Sequence, residues 1–205
     1  MAKWRYFIAF LFFALTSIVL YQVIGTKLLF LFDHFYRYGY LVIGGGQVVI
    51  PYMYVDLVEI NQLMTTSEFL TGFGIVQGIP GPMFSFSAYA GALAMRDSGG
   101  LLQVLGGIVA GIAIFLPGIL LIYFVYPIWE SLNHVKAVKN ALPGIVAIAG
   151  GLIASAAIVL MRSIGFSIPN VIAVLVASIL LFTRKIPAPI IVILAIISGV
   201  LFTYS

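Results

Sequence analysis

A chain of 205 residues, 63% hydrophobic and only 8% charged, carries too few charges to solvate a water-soluble surface, for which about 25% charged residues is usual; its apolar excess places it in the membrane class. Ten Lys and Arg against six Asp and Glu give a formal net charge of +4, but the only adjacent basic pair is Arg184-Lys185, so no nucleic-acid partner is implied and the charges are read as topology signals. With no cysteine, disulfides, thiolate nucleophiles and cysteine metal sites are excluded.

A membrane-spanning helix needs about 20 apolar residues, and residues 6–24 supply the first behind the basic start Lys3-Trp4-Arg5. The run is too long for a signal peptide and no small-residue cleavage site follows it. It is therefore read as a retained helix, an extra N-terminal unit over residues 1–26. From residue 27 to 205 a second unit is expected.

That unit opens with two interrupted segments. The first, residues 28–60, is apolar but carries Asp33, His34 and Arg37, then meets Gly44-Gly45-Gly46, Gln47 and Pro51, and ends near Asp56 and Glu59. Each interior glycine costs about 1 kcal/mol relative to alanine in a helix, so a helix–break–helix is predicted. A polar connector follows, in which Thr66 or Ser67 is expected to cap the next helix and Glu68 to sit in its first turn. The second segment, residues 67–95, is interrupted at Gln77-Gly78-Ile79-Pro80-Gly81-Pro82. Each proline lacks an N–H and disfavours the helical conformation of the residue before it. Helices over 101–126, 141–161, 168–182 and 188–204 complete the chain, with Pro117 inside the first and a more polar loop over 127–140. The last two are short for full spans and are expected to cross nearly upright or where the bilayer is thin. The fold class is thus an all-α polytopic membrane bundle with two broken or re-entrant helical hairpins, one half of an inverted-repeat transporter.

If both broken segments return to the side they entered, Lys3, Arg5, Lys136, Lys139, Arg184 and Lys185 share one side, and Lys27, Arg96 and Arg162 the other. The positive-inside rule then puts the N-terminus in the cytoplasm and the C-terminus outside a cell (inner) membrane.

Broken helices survive in a bilayer only where protein buries them or where they line a polar cavity, because each unsatisfied backbone group costs several kcal/mol. Half-helix N-termini turn positive dipole ends into such a cavity and favour anions. The candidate ends lie at Gln47 and Met83, with Gln47, Gln77, Ser85 and Tyr89 as neighbouring polar groups, lining the site or making packing hydrogen bonds. Ser85 and Tyr89, four apart, share a face that Ser87 does not. Arg37 either pairs with Asp33 at the helix entrance or supplies fixed positive charge to the anion path. Glu59 is either a solvated loop acid or a protonation site coupling transport to a gradient. His34 and His134 are far apart without a second ligand at helical spacing, and are read as interfacial or solvated rather than metal-binding. With no Ser/His pair, no HExxH and no facing acids, an enzyme is not indicated, and no catalytic residue, metal or cofactor is expected.

These stretches carry a resemblance. Arg37-Tyr38-Gly39, Gly44-Gly45-Gly46 followed by Pro51, Val58-Glu59, Leu63-Met64-Thr65 with Glu68-Phe69, Gln77-Gly78-Ile79-Pro80-Gly81-Pro82, Gly91 and Phe115-Leu116-Pro117 resemble one half of the chromate ion transporter family. The chain departs from that pattern at Ile43, where phenylalanine is usual, at Leu63, where tryptophan is common, at Gly118, where serine is frequent, and in its added first helix. The resemblance implies export of chromate, an oxyanion similar to sulfate, by a short single-domain form. It implies a site at Gly44, Gly45, Gly46, Pro51, Gln77, Pro80, Gly81 and Pro82, with Arg37 at a position usually basic. A channel or carrier for another small anion such as sulfate, or a non-transporting assembly subunit, are the alternatives. Because one domain supplies one set of broken helices, an antiparallel homodimer or a heterodimer with a similar short chain is expected.

Overall fold

The computed structural model describes residues 3–42 and 46–203, and among these every regular element is helical. The chain is an all-α polytopic membrane protein. Helix α1, Trp4–Ile24, is uninterrupted and apolar, with a mean hydropathy of 2.3 over its best window. It stops at Gly25, whose φ of +68° is the left-handed conformation that closes a helix, with its N–H donating to the Tyr21 carbonyl at 2.8 Å. One residue on, Thr26 caps α2, Lys27–Leu41, by accepting the Leu29 N–H. The tight turn makes α1 and α2 antiparallel neighbours. They are joined by the Tyr36 hydroxyl donating to the Phe10 carbonyl at 2.9 Å and by the aromatic cluster of Phe10, Phe13, Phe32, Tyr36 and Tyr40.

Chain direction reverses twice more within short spans. After α2 the described chain resumes as a 3-10 turn, Gly46–Val48, then α3, Ile50–Tyr54, and a π-helical stretch, Val55–Ile60. This return limb lies against α2, since Tyr38 meets the Tyr52 ring edge-on at 5.5 Å and donates its hydroxyl to Asp56. Helix α4, Thr66–Gly78, begins with a capping box. The Thr65 hydroxyl accepts the Glu68 N–H at 3.2 Å, and the Glu68 carboxylate accepts the Thr65 N–H at 2.8 Å. The cap is thus Thr65 rather than Thr66 or Ser67, because only Thr65 has an acid three residues on. After the break at Ile79–Pro82 a 3-10 turn, Met83–Ser85, leads into α5, Phe86–Ala94. Helices α4 and α5 are antiparallel: the Tyr89 hydroxyl donates to the Glu68 carbonyl at 2.9 Å, and Arg96, just past α5, pairs with Glu68 at 2.5 Å. Entry and exit of this hairpin therefore sit together.

Helix α6, Gly100–Val125, is the axis of the bundle, and α2 and α5 pack on it through small residues. A Cβ on Gly39 would collide with the Ile114 carbonyl and Pro117, and one on Gly91 with Ala110 and the Gly106 carbonyl. Lipid is as apolar as leucine, so close approach of this kind, rather than release of water, holds membrane helices together. The end of α6 meets the start of α1 through Trp4–Phe124 and Tyr6–Tyr123 ring contacts at 5.3 and 5.2 Å.

A short α7, Trp129–Asn133, and a long α8, Lys136–Ile164, follow. Residues 136–140 thus belong to α8 rather than to a loop. Pro143 removes only its own N–H and is accommodated inside the helix. Helices α9, Ile168–Phe182, and α10, Ala188–Thr203, close the chain, and Val192 of α10 faces Gly78 at the end of α4. Among the described residues, three helical stretches are long and apolar enough to span a bilayer: Trp4–Ile24, Gly100–Leu132 and Lys136–Ile164.

Candidate anion site

The two broken hairpins begin on the same side and their tips meet. At the entry side the Tyr54 and Thr66 hydroxyls are 3.0 Å apart and Tyr54 packs on Phe69. At the other end Gly46, the first described residue after the first break, faces the turn after the second. A Cβ on Gly46 would lie 3.3 Å from Met83 Sδ, 3.5 Å from Met83 Cβ and 3.5 Å from the Phe84 ring. Two interruptions more than 30 residues apart in sequence therefore occupy one place. Gly44 and Gly45 lie outside the described residues, and Gln47 contributes its backbone to the 3-10 turn.

The local chemistry explains how the second tip holds its shape. Pro82 is extended (φ −71°, ψ 136°) and its carbonyl accepts the Ser85 N–H at 2.9 Å, which starts the helical stretch Met83–Ala94. The leading N–H groups of such a stretch, at Met83 and Phe84, have no intrahelical acceptor and form a positive end. Pro51 fills the first turn of α3, where a missing N–H costs nothing. Pro80, Gly81, Pro82 and Ser85 are exposed, and Gln77 is half-buried in the last turn of α4. The Gln77 amide and the Ser85 hydroxyl make no hydrogen bond to the described residues, so both remain available to a ligand. Tyr89 is not in this position, since its hydroxyl is already directed to the Glu68 carbonyl, away from the tips. Ser87, by contrast, is fully buried and bonds back to the Phe84 carbonyl at 2.6 Å. Beside the second tip, Ser85, Ser87, Ala88, Gly107, Gly111 and Phe115 line an open groove of about 790 Å³ between α5 and α6.

Arg37 makes the i,i+4 ion pair with Asp33, Nη2 to Oδ2 at 2.5 Å, while its Nε is buried without a partner. It therefore retains an unspent donor. Glu59 is exposed, with no partner among the described residues. The buried acids are instead Asp33, fully enclosed, and Asp56, 8% exposed. Asp33 accepts from Ser17 of α1 at 2.9 Å as well as from Arg37. Asp56 accepts from Tyr38 and from the Asn61 amide at 2.8 Å. His34 stands between the two. The sequence reading takes His34 as interfacial or solvated and names Glu59, not Asp56, as the candidate protonation site. The usable signal was the acid Asp33 and the bases His34 and Arg37 within five positions of an otherwise apolar segment.

The chain matches the chromate transporter family over residues 29–201. It is 28% identical over 197 residues to an uncharacterized transporter of Methanocaldococcus jannaschii, covering 95% of this chain and 47% of that protein. It is 28% identical over 170 residues to the "Probable chromate transport protein" of Synechococcus elongatus, covering 82% and 42%. Against the chromate transport protein of Cupriavidus metallidurans it is 28% identical over 159 residues, covering 77% and 38%. The chain thus spans about half or less of the length of these relatives. No solved structure matches it.

Proposed function

Because the chain belongs to the chromate transporter family, we propose that it is a secondary transporter of a small divalent oxyanion, exporting chromate across the cell membrane from a site where its two broken hairpins meet. The observation that carries this reading is the contact of Gly46 with Met83 and Phe84. It brings two backbone interruptions to one locus, where an oxyanion takes the free N–H groups as hydrogen-bond donors. Gln77 and Ser85 add side-chain donors, and Arg37 offers from α2 the Nε donor that its pair with Asp33 leaves unused. The six-to-three bias of basic residues supports a cytoplasmic N-terminus in the inner membrane.

Pro80, Gly81 and Pro82 are exposed, and the relatives are about twice as long. Both facts support a second domain of the same kind covering the tips, supplied by an antiparallel copy or by a similar chain of opposite orientation. Cross-linking in native membranes that captured only monomers, with transport intact, would remove this part of the reading.

Flux of labelled sulfate and chromate into proteoliposomes tests the site. A hydrogen bond to a charged group is worth about 1.5–3 kcal/mol, so Gln77→Ala lowers flux roughly 10- to 100-fold. Gly45→Leu, which fills the break, abolishes it while the protein still inserts. Unchanged flux in both variants contradicts the assignment.

A further inference from the structure

The charges buried beside the first hairpin do not cancel. Asp33 and Asp56 are enclosed carboxylates, and among the described residues Arg37 is the one Lys or Arg paired with them. Both oxygens of Asp33 accept hydrogen bonds, from Ser17 and Arg37, and both oxygens of Asp56 do so from Tyr38 and Asn61. Carboxylates that only accept, ringed by donors in this way, fit two ionised groups, which leaves the cluster one negative charge in excess. Neither α6 nor α1 beyond Arg5 carries a charge that offsets it.

His34 is the group placed to do so. Its Nδ1 lies 3.0 Å from the Phe30 carbonyl. A carbonyl only accepts, so Nδ1 carries the hydrogen and, in the neutral ring, Nε2 presents its lone pair. That lone pair faces Asp56 Oδ2 at 3.9 Å, with Asp33 Oδ2 3.7 Å from Nδ1. Two acceptors facing each other repel. A proton on Nε2 turns the contact into a charge-assisted hydrogen bond and brings the cluster to neutrality. The ring is held for this exchange by Phe30, stacked at 3.7 Å, and by the edge of Tyr21 from α1.

We infer that His34, set between Asp33 and Asp56, is the site at which this chain binds the proton whose movement is coupled to the anion. The inference rests on the transporter reading above. The proton comes from water to Nε2 and returns to water; no other reactant is consumed. His34 stands on the outgoing limb of the first hairpin and Asp56 on the returning π-helical limb. Protonation shortens their separation from 3.9 Å to about 2.8 Å, a shift of roughly 1 Å between the two limbs that carry the tip. A π-helical stretch in the returning limb suits it to such a change. Removing the excess negative charge also favours an anion nearby.

The full chain, purified with whatever co-purifies, gives two readouts. His34 and His134 are its two histidines, so nitrogen NMR of 15N-histidine protein resolves two rings, and His34→Gln identifies them by subtraction. The His34 ring is expected as the Nδ1–H tautomer at pH 8, to take a proton by about pH 5, and to shift its titration when sulfate is added. Asp56→Asn makes that protonation harder. Sulfate affinity is expected to rise at least fivefold, the lower end of typical linkage, as pH falls from 8 to 5, and to lose this dependence in His34→Gln. A ring that stays neutral across this range, or a pH dependence unchanged in His34→Gln, overturns the inference while leaving the transporter reading standing. A wild-type chain that binds and moves no oxyanion overturns the transporter reading and the coupling with it, whatever the ring does.

Discussion

Individual residues decide how closely the helices approach. Gly39 has no room for a side chain, because α6 presents the Ile114 carbonyl and Pro117 there, whereas Gly118 faces open space on the same helix. Gly39→Ala therefore forces a backbone shift costing about 1–3 kcal/mol, read as a fall in melting temperature of the detergent-solubilised protein. Gly118→Ala leaves that temperature unchanged or slightly raised. Equal effects of the two substitutions would mean that α2 does not seat on α6 at this point. The same scale shows what sequence can and cannot supply. Thr66 or Ser67 was expected as the cap, although Glu68 three residues after Thr65 already pointed to Thr65. The contrast between buried Asp56 and exposed Glu59 was not readable, since residues three apart share a face on an ordinary helix. The wider turn of the π-helical stretch Val55–Ile60 rotates them apart, and no residue in that stretch announces it.

At the level of elements, the interruptions were legible because glycine runs and paired prolines are strong local punctuation. What they meet was not. The packing of Gly46 on Met83 depends on two hairpins entering side by side, which follows from Tyr54 against Phe69 and Thr66. These are long-range contacts that local pattern does not encode. The arrangement makes a sharp prediction. The chain has no cysteine, and the distance of 3.5 Å from a Gly46 Cβ to Met83 Cβ falls at the short end of disulfide geometry. A Gly46→Cys, Met83→Cys double variant is expected to close a disulfide under mild oxidation in membranes, slowing migration of neither single variant. Two thiols that remain separately titratable would show the tips apart.

For the molecule as a whole, the core gathers around α2, α5 and α6, while α8, α9 and α10 bury few side chains and α9 buries none. Their wide apolar surfaces suit lipid or a second domain. Length and hydropathy made those helices recognisable one by one, and the candidate site was expected at the two hairpins; that α6, of the long spans, lies beside the second tip required the fold. The account stands or falls on whether the meeting point of the hairpins is wet and attracts an oxyanion. Ser85→Cys places a single thiol there, at an exposed position beside the second tip. The direct measurement is the rate at which a membrane-impermeant thiol reagent labels it in native membranes, with and without sulfate. The account predicts ready labelling that sulfate slows severalfold and chloride does not. A thiol that is never labelled, or is labelled at the same rate with sulfate present, contradicts it.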